Sequence, residues 1–214
     1  MALILLEIAL ILALVAGDYA GVVPVTSTPF FLALGWASLR RRGLRWRDVG
    51  LRRPANWGRA LAIGVAAGIA MELLSTFVTV PLWSRLFGSP PDLSDFRHVV
   101  GNARALAFWL ALNWTLAAFG EEMSFRGYIL DRLADAGGRT REAWGAALVA
   151  SSVLFGLSHG GQGVTGMAQE SLAGLMLGAL YLACGRNLWP PILAHGVGNT
   201  LAFVLIYLGR YPGV

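Results

Sequence analysis

Apolar residues run in long blocks broken by short polar stretches, and the blocks are the first thing the chain predicts. They fall at about 2–17, 21–39, 58–83, 104–134, 142–159, 164–184 and 188–209. Most approach the roughly 20 residues needed to cross a hydrocarbon core as a helix. None shows the strict alternation of a half-buried strand. The predicted class is therefore all-α: a polytopic transmembrane helical bundle of about seven to eight membrane segments. At ~1.5 Å per residue the 104–134 block would span ~46 Å, so it should be tilted, broken or extended beyond the bilayer. The N-terminus lacks a basic leader and Glu7 interrupts its apolar run, so it reads as a first membrane helix rather than a cleavable signal.

Composition agrees with this pattern. Of 214 residues, 56% are hydrophobic and 14% charged, and mean hydropathy is +0.61. A soluble domain carries about a quarter charged residues, so composition excludes a disordered chain and argues strongly against an ordinary soluble enzyme. The net charge is +5, and every basic residue is Arg. Seven Arg crowd residues 40–53, between two apolar blocks. The positive-inside rule explains that placement better than nucleic-acid binding, for which no fold signal is present. With that loop cytoplasmic, Arg132, Arg139, Arg141 and Arg186 return to the same side, and the 84–103 loop lies outside. Arg without Lys, with abundant Ala and Gly, points to a GC-rich, bacterial source and its cytoplasmic (inner) membrane. The single Cys184 can form neither an internal disulfide nor a Cys-based metal site. Gly64/Gly68 and Gly174/Gly178 are small-xxx-small pairs that would let helices approach closely.

The polar residues inside the blocks carry the chemistry, because ionisable groups in membrane helices are costly and usually functional. Glu122 and Arg126 are i and i+4 and can pair; Glu121 is left as a second carboxylate and a candidate general base. Phe155 and His159 stand one turn apart, as do His195 and Asn199. These groups could supply a base for water, an acid for a leaving amine and donors for an oxyanion. Neither a G-x-S-x-G context nor a cysteine nucleophile signature is present.

EExxxR (Glu121-Glu122…Arg126), FxxxH (Phe155…His159) and HxxxN (His195…Asn199) occur in this order on successive apolar blocks. Together they resemble the CAAX prenyl protease type II and bacteriocin-processing family of intramembrane proteases, also called CPBP or Abi. The resemblance covers about residues 104–209, which divides the chain into N-terminal membrane helices and an outer loop (1–103) and a CAAX-protease-like catalytic core (104–209). It implies a glutamate-dependent endopeptidase in which Glu121 and His159 activate water. His195 and Asn199 would then stabilise the oxyanion, with Glu122, Arg126 and Phe155 in support. The expected partners are a membrane-tethered peptide or protein substrate and the lipid bilayer, and no nucleic acid.

The family has been labelled a metalloprotease group, so zinc is the alternative, with Glu121, His159 and His195 as candidate ligands. But H-E-x-x-H is missing and Arg126 is a poor neighbour for a dication, so no cofactor is expected. Two other function classes compete: a non-catalytic membrane scaffold or immunity protein of the same fold, and a proton-coupled transporter in which Pro190-Pro191 breaks a helix. Glu7, Glu72 and Glu170 also sit in apolar blocks, without a spacing that assigns them roles.

Overall fold

The computed structural model describes residues 2–22 and 26–214. Residues 23–25 of the second apolar block lie outside the described residues. The chain is 79% helical, with no strand among the described residues, which is the all-α class expected. The seven blocks become seven helical rods. They are α1 (Ala2–Tyr19), α2 (Thr28–Arg41), α3 (Trp57–Phe87), α4 (103–136), α5 (Arg141–Leu157), α6 (Gly163–Ala183) and α7 (Trp189–Tyr207).

Local chemistry sets the rod ends. Asn56, Asn102 and Thr140 cap α3, α4 and α5 by accepting from the backbone N–H of Arg59, Ala105 and Ala143. Pro190 and Pro191 occupy the first turn of α7, where a missing N–H costs nothing, so they start this helix rather than break it. Gly88 ends α3 with φ +85°, a conformation open to glycine.

Two rods, α3 and α7, are long and apolar enough to cross a membrane, or three spans if the broken pair α5–α6 counts as one. The expected count of seven to eight is not reached on length and composition. Rod α2 has only 14 residues, ~21 Å of helix, and α4 carries charges in its centre. Contacts between α5 and α6 run antiparallel: Leu148 meets Gly178, Ser152 meets Gly174, and Ser171 meets Gly156. A Cβ on Gly64 or Gly68 would likewise strike Leu193 and the Ala194 carbonyl of α7. Both small-xxx-small pairs are thus closest-approach points, as their spacing predicted.

The two ends of the bundle differ in charge. At one end Arg42 and Arg139 pair with Asp131 and Asp135, Arg52 donates to the Gly185 carbonyl, and Arg139 and Arg186 flank the Trp144 ring. Glu7 is buried there, accepting from Arg132 at 2.6 Å and from Ser38 at 2.8 Å. This ties α1 to α2 and α4. At the other end the Asp92 N–H donates to the Gln162 carbonyl, Leu93 to Gly213 and Gly101 to Tyr207. The arginine-dense loops therefore gather together, in the alternation that the charge pattern predicted.

Candidate active site

Rod α4 is one continuous helix, but residues Asn113–Leu130 wind with i→i+5 hydrogen bonds rather than as the α-helix expected. Such wide turns are rare and concentrate at functional sites. With more residues per turn, neighbouring side chains diverge less, so Glu121 and Glu122 both face α7.

Glu122 is 0% exposed. Its Oε1 accepts from Arg126 Nη1 at 2.8 Å, the pairing its spacing predicted, and from His195 Nδ1 at 2.9 Å. Arg126, 2% exposed, also donates from Nη2 to the Gly174 carbonyl and lays its guanidinium 4.5 Å from the Phe155 ring centre. A buried charge needs such partners, and this one is held on three helices. Phe155 also packs edge-on to Phe125 and meets the His195 ring at a near-right angle, so it forms one wall shared by both histidines.

The hydrogen bonds decide the tautomers. His159 Nδ1 lies 2.8 Å from the Phe155 carbonyl, which can only accept, so Nδ1 carries the proton and Nε2 is free. His195 Nδ1 faces the Glu122 carboxylate and also donates, leaving Nε2 4.0 Å from Glu121 Oε2. Glu121, His159, His195 and Asn199 all line one cavity of about 590 Å³. All four proposed catalytic residues thus share a cavity, while Glu122, Arg126 and Phe155 form its buried support.

The same cavity holds residues that spacing alone did not assign. Glu72, 8% exposed, accepts from Thr76. Gln169 bridges α6 to α3, accepting from Thr79 at 2.6 Å and donating to Ser75 at 3.0 Å across a wide turn at Ser75–Thr79. Asn113 donates to the Gly196 carbonyl at 3.0 Å, pinning the backbone between His195 and Asn199. Asp18, at the end of α1, is hydrogen-bonded by Ser27 and also lines the cavity. The signal for Glu72, Gln169 and Asn113 was their polarity within apolar blocks; Asp18 falls between two blocks and had none.

Among the described residues no group of three or more His, Cys, Asp or Glu side chains gathers as metal ligands.

A helical bundle with rods long and apolar enough to cross a membrane, and a carboxylate–imidazole cluster lining its internal cavity, is the class that fold and site define. Residues 103–201 match the family model described as Type II CAAX prenyl endopeptidase Rce1-like, and the resemblance read from the three motifs holds over this segment. No curated protein and no solved structure matches the chain.

Proposed function

We propose that this protein is an intramembrane endopeptidase that hydrolyses a peptide bond of a membrane-tethered substrate in a bacterial cytoplasmic membrane, with residues 104–209 as its catalytic core. The observation carrying this reading is the convergence of Glu121, His159, His195 and Asn199 on one cavity. The family match over residues 103–201 supports the reaction class.

The chemistry follows from the free atoms. Glu121 and the unprotonated Nε2 of His159 polarise a water and take its proton as the oxygen attacks the scissile carbonyl. The carbonyl oxygen becomes an oxyanion. Asn199 donates an amide N–H to it without any change of protonation. His195 adds a second donor only when its ring carries both protons, because its Nδ1 proton is committed to Glu122. Collapse of the tetrahedral intermediate breaks the C–N bond, and the amine leaves with the proton held by Glu121 and His159. Glu122 and Arg126 touch no reacting atom; they fix the His195 ring and balance charge.

Cleavage of a membrane-tethered reporter peptide by the purified protein tests the reading. Glu121→Ala and His159→Ala should each lower the rate by at least ~10²-fold, the scale expected for loss of a general acid–base group. Wild-type rates in both variants would refute it.

A further inference from the structure

The cavity is one-sided in charge. It is lined by Asp18, Glu72, Asp92, Asp95, Glu121 and Glu170, six of the chain's 12 acidic residues, and by none of its 17 arginines. This occurs in a chain of net charge +5. Asp92 and Asp95 are exposed, and with Asp18 they stand at the mouth, at the end of the bundle away from the arginine-dense loops. Glu170 and Glu72 lie further along α6 and α3. None of these five carboxylates forms an ion pair among the described residues, whereas Glu7, Glu122, Asp131 and Asp135 each do.

A second observation concerns Asn113, 2% exposed, which lines the same cavity. The Gly196 carbonyl can only accept, so the Asn113 amide nitrogen must face it, and Oδ1 is left buried with no donor. A buried acceptor without a donor costs free energy until a ligand N–H supplies one. The carboxylates are spread from mouth to floor rather than gathered about one point, which suits an extended chain and not a metal ion.

We propose that the cavity selects a cationic peptide segment, one with Arg or Lys beside the scissile bond, which the carboxylates attract at the mouth and pair along the path to Glu121. This deepens the endopeptidase reading and rests on it. Oppositely charged walls around a low-dielectric cleft concentrate such a ligand, and salt weakens the effect.

The test uses full-length Glu121→Ala protein in nanodiscs and a series of fluorescent, N-acylated peptides that differ only in an Arg-Arg, Gln-Gln or Glu-Glu pair. The Arg peptide should bind about tenfold tighter than the Gln peptide at ~0.05 M salt, with the gap narrowing at ~0.5 M. Adding Asp92→Asn and Asp95→Asn at the exposed mouth, where folding is not at stake, should shrink the gap severalfold; Glu170→Gln should shrink it further. Equal binding of Arg and Gln peptides, or a gap unmoved by these substitutions, overturns the proposal. Cleavage by the wild-type protein separates the two readings. Charge-selective binding with no cleavage sinks the endopeptidase and leaves the cationic ligand standing. Efficient cleavage of all three peptides alike does the reverse.

Discussion

Replacing Arg126 by Leu removes the only guanidinium that meets the Glu122 carboxylate among the described residues. The pair is closed to solvent, with side-chain exposures of 3% and 0%, so water cannot take over the lost partner. Breaking a buried pair from one side costs about 3–5 kcal/mol, mostly because the remaining charge is stranded. The bond to the Gly174 carbonyl and the stacking on Phe155 are lost as well. For a chain of this size each kcal/mol moves Tm by roughly 2–4 °C, so a fall of about 6–20 °C is expected. Intrinsic fluorescence from the 8 tryptophans reads the transition in detergent. The double variant Glu122→Gln with Arg126→Leu is the informative control. Gln removes the stranded charge yet keeps an oxygen to accept from His195 Nδ1. It should therefore be more stable than Arg126→Leu alone. A Tm change below ~2 °C in the single variant, or a double variant less stable than the single, would refute the description of this pair as a buried, mutually dependent unit.

Other outcomes follow from the same geometry. Asn199→Ala should lower kcat by about 10²-fold with little change in KM, as for loss of one oxyanion donor; a pure KM effect would place Asn199 in substrate binding instead. Gly156→Ala drives a methyl group into Ser171 and the Met167 carbonyl of α6, so it should destabilise by about 1–3 kcal/mol, and an unchanged Tm would contradict the observed approach of α5 to α6. In a Cys184→Ser background, Asp95→Cys should react with an impermeant maleimide on intact cells and Arg45→Cys only after lysis; the opposite pattern inverts the orientation. Activity should survive chelation, because no group of three or more His, Cys, Asp or Glu side chains gathers as metal ligands among the described residues; stoichiometric bound zinc with chelator-abolished cleavage would overturn that expectation.

Much of the site was visible one helix at a time. The Glu122–Arg126 pair is an i, i+4 relation, and the Phe155–His159 contact (ring centres 4.8 Å apart) is another. Both are local: the first lies on one rod, and the second links α5 to the turn just past its end at Leu157, so a linear chain encodes them directly. The bond from His195 to Glu122 joins residues 73 apart in sequence, and that from Arg132 to Glu7 joins residues 125 apart. No periodicity contains them, because they depend on how far each rod is rotated and slid against its neighbours. Glu7 shows the consequence: in sequence it was an unexplained carboxylate in an apolar block, and in the bundle it is the anchor for Arg132.

Local pattern by itself thus determined the helical class, the blocks, the segregation of arginine and the identity of the polar residues, since hydrophobic burial and helix spacing act over a turn or two. Tertiary structure alone decided what those polar residues do to one another. The wide turns of residues 113–130 aim both glutamates at α7, and the Phe155 carbonyl and Glu122 carboxylate assign each histidine its free nitrogen. The physical reason is one of range. A side chain's place in the sequence sets its direction on its own helix, whereas its protonation and its partner come from whatever the packing of the other helices brings within about 3 Å.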